Sequence, residues 1–273
     1  MVSEEKVIGF IGAGNMASAL VKGLLSSGTL PRDRIRVSDR SQAALEMLLK
    51  QFGVRGYGSN RQLARECEIV VLSVKPQIMR EVLEEIKADI RDNHMIISIA
   101  AGIPLGMIQD ILRREIPLIR VMPNTPALIQ RGISALAAGK WAEPSDMDIA
   151  TGIFEAVGET VIVAEETMDA VTAISGSGPG YVFKIMESFV SAGETLGFDR
   201  ETSHKLVLQT FLGAVHLARE SEKTLSRLRE MVTSPGGTTA AGLAVFRDKG
   251  IDALILETVT AACNRSQELG KNY

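Results

Sequence analysis

Short apolar runs alternate with longer amphipathic stretches through the first half of the chain. Val7–Ile11, Ile35–Ser38, Ile69–Val74, Met95–Ile99 and Leu118–Met122 are apolar almost throughout. Unbroken apolar runs, rather than strict alternation, are what strands covered on both faces require. Between them, Met16–Leu25, Gln42–Gln51, Ile78–Asp89 and Leu105–Arg114 read as helices. Alternation at this spacing predicts right-handed βαβ units and a doubly wound parallel sheet. Gly132–Ala137 and Thr160–Val163 read as two further strands extending that sheet, with a helix near Pro144–Ala156 between them.

After Ala164 the pattern becomes helical. Thr167–Ile174, Tyr181–Leu196, Arg200–Glu220, Thr239–Asp248 and Ile251–Leu269 all carry helical spacing. Val207, Leu208, Phe211, Leu212, Val215 and Leu217 leave one of these helices apolar on more than one face, so something must cover it. A domain of this size has a limited interior, which makes a second subunit the natural cover. The expected fold class is therefore α/β, an N-terminal Rossmann-type doubly wound sheet over 1–164 followed by an all-helical dimerisation domain over 165–273.

Composition narrows the function. Thirty Lys and Arg against 33 Asp and Glu give a net charge of −3 with no basic block, which argues against a nucleic-acid surface. Three histidines and two cysteines are too few and too scattered for a metal cage, so no metal is expected. Cys67 and Cys263 form no CxxC pattern and are expected to be buried, reduced thiols. The apolar stretch Val7–Val21 follows Glu4, Glu5 and Lys6 and is interrupted by glycines, unlike a secretory leader. No uncharged run approaches the ~18–20 residues of a membrane helix. A soluble, cytoplasmic protein that binds neither membrane nor nucleic acid is the expectation.

The first strand runs into Gly12-x-Gly14-x-x-Ala17 and then a helix. In that context the first glycine permits the tight turn, and the second lets backbone amides approach a pyrophosphate at the helix N-terminus. At the end of the second strand, Asp39 suits a ribose 2′-hydroxyl and hence NAD, whereas Arg40 and Ser41 suit the 2′-phosphate of NADP. The two signals conflict and leave the choice open. Val74-Lys75-Pro76, Ala100-Ala101-Gly102 and Pro123-Asn124-Thr125-Pro126 fall where later strands end, on the ligand side of such a sheet. Two glycine-rich segments, Ser175–Gly180 and Ser234–Thr239, read as loops interrupting the helical half. The second leads into a helix, where its amides and hydroxyls could receive a carboxylate.

GAGNMA at 12–17, SVKPQ at 73–77, SIAAGI at 98–103, RVMPNTPA at 120–127, AISGSGPGYVF at 173–183 and SPGGTT at 234–239 together resemble the pyrroline-5-carboxylate reductase family. The resemblance runs in order over effectively the whole chain. It implies reduction of L-1-pyrroline-5-carboxylate to L-proline by NADPH, with NADH possible, in a homo-oligomer (a dimer or multiple of dimers) whose active site lies between two subunits. It further implies that Gly12, Gly14, Asn15 and Met16 form the cofactor turn, and that Ser38, Arg40 and Asn60 meet the adenosine ribose. Val74, Lys75, Pro76, Ala100, Ala101 and Gly102 would lie on the nicotinamide side. Ser234, Gly236, Gly237, Thr238 and Thr239 would hold the substrate carboxylate and ring nitrogen, with Glu165 near the substrate. Gly180 stands where Ala is commoner in the family, and Asp39 where NADP-preferring members often carry a neutral residue.

Thr239 is the candidate catalytic residue, orienting the ring nitrogen and relaying a proton through water, since a hydroxyl alone is a weak acid. A β-hydroxyacid dehydrogenase is the rival enzyme, because Lys184 has that family's spacing from the glycine-rich turn; Ser188, where it would place Asn, argues against it. Lys184 reads instead as a surface charge paired with Glu187 or Ser188. A dinucleotide-sensing module is the non-enzymatic rival, and it gives no reason for the glycines and hydroxyls at 234–239. His94, His204 and His216 stand apart from any nucleophile motif.

Overall fold

The computed structural model describes residues 6–271. Eight strands form one sheet: β1 (Ile8–Ile11), β2 (Ile35–Ser38), β3 (Arg55–Tyr57), β4 (Ile69–Leu72), β5 (Met95–Ser98), β6 (Leu118–Met122), β7 (Gly132–Ala138) and β8 (Gly158–Ile162). Their spatial order is β3-β2-β1-β4-β5-β6-β7-β8. All neighbours are parallel except β6 and β7, which run antiparallel with Arg120 opposite Ala137. The sheet is therefore mixed at that step rather than parallel throughout. The segment from Pro123 to Arg131 is too short to hold a crossover helix, so the chain reverses there.

The helices of this part are α1 (Asn15–Ser26), α2 (Gln42–Phe52), α3 (Asn60–Glu66), α4 (Met79–Ile86), α5 (Leu105–Leu112) and α6 (Pro144–Glu155). Alternate strand residues serve opposite faces. Ile8, Phe10, Val37, Val71 and Ile97 pack with Leu20 and Leu24 of α1, Leu45 and Leu48 of α2, and Ile153 and Phe154 of α6. Ile11, Val70, Leu72 and Ile96 pack with Leu63 of α3, Val82 and Ile86 of α4, and Ile108 of α5 on the other face. Both faces are thus dry, which is why the strands read as unbroken apolar runs. Each fully buried branched or aromatic side chain contributes about 1.5–3 kcal/mol. Buried His94 ties the turn before β5 to α3: Nδ1 accepts the Arg91 N–H at 2.9 Å and Nε2 lies 2.8 Å from the Ala64 carbonyl.

Beyond β8 the chain is helical: α7 (Met168–Val171), α8 (Gly178–Thr195), α9 (Arg200–Glu220), α10 (Leu225–Met231), α11 (Thr238–Asp248) and α12 (Ile251–Lys271). A π-helical turn, Thr172–Gly176, leads from α7 toward α8. The first glycine-rich segment is accordingly no open loop. Ser175 Oγ donates back to the Val171 carbonyl at 3.0 Å, and Gly178, Pro179 and Gly180 already form the first turn of α8.

Two compact units emerge. One comprises residues up to Ser177 together with those from Thr260 onward; the other is Gly178–Val259. In the first, the end of α12 returns to the sheet unit, where Ser266 Oγ donates to Asp169 Oδ1 at 2.6 Å. The second unit buries little of itself. Helices α8, α10 and α11 contain no buried residue, and α9 buries only Ser203. Leu208, Leu212, Val215 and Leu217 are each about half exposed. Both cysteines are free thiols, but only Cys67 is buried, so the expectation of two buried thiols holds for one; Cys263 is half-buried. Burial pushes the Cys67 thiol up to about 12, too high to act as a nucleophile near neutral pH. Among the described residues, no helix is long and apolar enough to cross a membrane.

Candidate active site

A cavity of about 370 Å³ opens at the C-terminal ends of β1, β2 and β4, lined by Gly12, Gly14, Asp39, Arg40, Asn60, Val74 and Lys75 among others. Seven predicted cofactor residues from four separate loops thus meet around one space. Gly12 adopts φ +108°, which side-chain-bearing residues rarely reach, and a Cβ there would lie 2.6 Å from the Ser73 carbonyl oxygen. Gly14, the residue preceding α1, has an ordinary φ of −74° and open space where its Cβ would go. It supplies no capping side chain, so the amides of the first turn, at Asn15 and Met16, are left for a ligand at the positive end of the helix.

The turn is braced from outside. Ser73 Oγ donates to the carbonyls of Ile11 at 2.9 Å and Gly12 at 2.8 Å. Asp39 Oδ2 accepts the Ala13 N–H and its Oδ1 the Ser41 N–H, both at 2.7 Å. Ser41 caps α2, its Oγ accepting the Ala44 N–H at 3.3 Å. Ser73 was not among the predicted residues, although it opens the SVKPQ motif; its position directly after β4 was the available signal.

The far end of the cavity carries a polar chain. Ser38 Oγ donates to Asn60 Oδ1 at 2.8 Å, and Asn60 Nδ2 donates to Glu85 Oε2 at 2.9 Å. Arg40 Nη2 donates to Glu81 Oε1 at 2.8 Å and lies 3.7 Å from Glu85 Oε2. That hydrogen bond, with the charge of Arg40, holds the Glu81 carboxyl below the usual carboxylate range and raises the guanidinium in turn. Neither Glu81 nor Glu85 was anticipated. They sit on the polar face of α4, which in sequence looks like any solvated helix surface.

Pro76 begins a short 3₁₀ turn, Pro76–Ile78, after β4. Ala100 and Gly102 are buried just beyond β5, with Ala101 half-buried between them. Gly102 has φ +74°, and a Cβ there would meet the Ser266 carbonyl at 3.0 Å and the Gly270 amide at 3.3 Å. Glu165 Oε1 accepts the Leu105 N–H at the start of α5 at 2.6 Å and lies 3.6 Å from buried Arg120, which also lies 3.5 Å from Asp169. Its Oε1 thereby holds the start of α5.

In the second unit, Ser234, Gly236, Thr238 and Thr239 are exposed and Gly237 is half-buried. Gly236 takes φ +69°. The Gly237 N–H donates to the Ser234 carbonyl at 3.0 Å, closing the turn that precedes α11. Gly237 is the N-cap and offers no side chain, so Thr238 and Thr239 open the helix with their hydroxyls in the first turn. Lys184 pairs with Glu187 at 2.8 Å, and Ser188 Oγ donates to the Lys184 carbonyl at 2.9 Å.

A doubly wound sheet whose first turn leaves the start of α1 uncapped beside a polar-lined cavity has the form of a nicotinamide-dinucleotide oxidoreductase. The family described as pyrroline-5-carboxylate reductase dimerisation matches residues 165–269, and that described as NADP oxidoreductase, coenzyme F420-dependent, matches residues 7–102. The chain is 41% identical to the pyrroline-5-carboxylate reductase of Methanosarcina acetivorans, over 98% of this chain and 99% of that protein. Among solved structures, the enzyme from Coxiella burnetii superposes with a TM-score of 0.90 at 38% identity, covering 97% of this chain and 98% of the other. The Plasmodium falciparum enzyme with NADP bound gives 0.89 at 34% identity, covering 98% and 99%. The chain belongs to the pyrroline-5-carboxylate reductase family.

Proposed function

We propose that this chain reduces L-1-pyrroline-5-carboxylate to L-proline with NADPH, NADH also being accepted, as the final step of proline synthesis. The observation that carries the reading is the Gly14 cradle: a Cβ there would touch no protein atom and would fill only the space beside the uncapped start of α1. That space fits a dinucleotide pyrophosphate, which Gly12, Gly14, Asn15 and Met16 would hold through backbone amides. Ser38, Asp39, Arg40 and Asn60 would surround the adenosine ribose, with Val74, Lys75, Pro76, Ala100, Ala101 and Gly102 on the nicotinamide side.

When bound, the cofactor supplies the hydride. The protein's part is position and charge. Protonated pyrroline is already an iminium, so its carbon is electrophilic without a strong acid. Ser234, Gly236, Gly237 and Thr238 would receive the substrate carboxylate with amides and hydroxyls at the positive end of α11. The Thr239 hydroxyl would hydrogen-bond the ring nitrogen, orienting the C=N bond and passing a proton through water. Glu165 would lie near the substrate, with its Oε1 fixing the start of α5.

The half-exposed Leu208, Leu212, Val215 and Leu217 of α9 call for cover, and a second copy of the chain provides it as a homodimer or a multiple of dimers. Two free thiols accord with a cytoplasmic setting. Chromatography of the reaction products tests the reading: L-proline should accumulate in step with oxidised cofactor. Cofactor oxidation with no proline formed would point to a different imine.

A further inference from the structure

We propose that Glu81 sets the balance between NADPH and NADH by competing with the 2′-phosphate for the Arg40 guanidinium. This deepens the cofactor assignment above and rests on it. Arg40 stands at the end of β2, where the adenosine ribose of a dinucleotide lies, and it is the guanidinium lining the cavity. Its Nη2 is engaged by Glu81 Oε1 at 2.8 Å. Asp39 precedes it in the chain, and Glu85 comes within 3.7 Å. Two carboxylates, Glu81 and Glu85, therefore face one guanidinium. A ribose hydroxyl is neutral and indifferent to that balance; a 2′-phosphate carries about −1.5 to −2 charges and meets repulsion from both.

The acidic groups of this corner are not equivalent. Asp39 spends both oxygens on the Ala13 and Ser41 amides and so braces the phosphate turn. Glu85 accepts from Asn60, which in turn accepts from Ser38, so it holds the floor of the ribose site. Glu81 has Arg40 as its hydrogen-bond partner among the described contacts. The pair is open to water, with side-chain exposures of 51% for Arg40 and 61% for Glu81. Exposed pairs of this kind are weak enough for a phosphate to displace the carboxylate. Glu81 is thus a replaceable stand-in for the 2′-phosphate. Its carboxylate lowers the advantage that Arg40 alone would give NADPH.

Calorimetric titration with NADP⁺ and NAD⁺, which differ only in the 2′-phosphate, tests this without turnover. Glu81→Gln should improve the affinity for NADP⁺ relative to NAD⁺ by about three- to tenfold at low salt, and less at high salt. In an Arg40→Gln background the same substitution should lose most of that relative gain, because the contested cation is gone. Binding of both cofactors by the wild type, with a ratio that Glu81→Gln leaves unchanged, would overturn the role of Glu81 while leaving the cofactor assignment intact. Binding of neither would overturn both.

Discussion

Gly12 and Gly14 lie two residues apart in one turn, and replacing each with alanine should have opposite consequences. At Gly12 the new side chain must accept φ +108° and a Cβ placed 2.6 Å from the Ser73 carbonyl oxygen. Strained backbone of this kind costs about 1–3 kcal/mol, and forced overpacking adds typically 1–3 kcal/mol. At roughly 2–4 °C of melting temperature per kcal/mol, Gly12→Ala should melt about 5–20 °C below the wild type. At Gly14 the backbone is ordinary and no protein atom lies within 4 Å of the added carbon. Alanine is a poorer N-cap than glycine by about 0.5–1 kcal/mol, and loss of unfolded-state freedom returns about 0.4–1 kcal/mol. The melting temperature of Gly14→Ala should therefore stay within ~2 °C of wild type. Its affinity for NADP⁺ should fall at least about tenfold, because the methyl group occupies the pyrophosphate's place and each lost charge-assisted hydrogen bond is worth about 1.5–3 kcal/mol. Differential scanning calorimetry paired with calorimetric titration reads both quantities. A Gly14→Ala protein that keeps wild-type cofactor affinity would refute the cradle.

Three other outcomes follow from the geometry. Thr239→Ala should lower kcat by about ten- to a hundredfold in steady-state assays while NADP⁺ affinity holds, since the hydroxyl is assigned to the substrate nitrogen; unchanged kcat would remove it from the mechanism. Lys184→Met should keep turnover within about twofold, because Lys184 is a surface partner of Glu187, whereas a β-hydroxyacid dehydrogenase would lose nearly all of it. Asp89, held by the Nε–H groups of Arg61 and Arg65 at 2.6 Å each, has its carboxyl lowered chiefly by the Arg61 hydrogen bond. A lowered folded value means that its stabilisation is fully present above the ordinary aspartate value of ~3.9 and is lost as pH falls through the lowered one. Asp89→Asn should accordingly lower stability by about 1–3 kcal/mol at pH 7, measured by urea unfolding, with the gap closing in acid; a gap independent of pH would contradict the assignment.

The sheet unit was legible wherever burial on both faces left an unbroken apolar run. β2 and β6 begin and end where the pattern places them, and β1, β4 and β5 differ by one or two residues. β3 escaped because Arg55–Tyr57 is three residues long and half polar, and α3 because its seven residues bury little beyond Leu63 and Ala64. α10 was missed for a similar reason: it is short and buries nothing in a single chain. The antiparallel step at β7 leaves no mark on its composition, only on the shortness of the link before it. Among site residues, the glycine turn was readable because its chemistry is local. The carboxylates on α4 were not, because their meaning depends on which strand end the helix crosses. Arg40 and Asp39 posed an open choice in sequence; in the fold, Asp39 is bound to backbone and Arg40 to Glu81.

A pyrroline-5-carboxylate reductase must oxidise a nicotinamide cofactor only when the cyclic imine is supplied. Spectrophotometric oxidation of NADPH, and separately of NADH, with and without L-1-pyrroline-5-carboxylate, tests it most directly. Oxidation should depend on the imine and saturate with it, with both cofactors used. A folded protein that binds NADP⁺ but oxidises neither cofactor in the presence of the imine would contradict it.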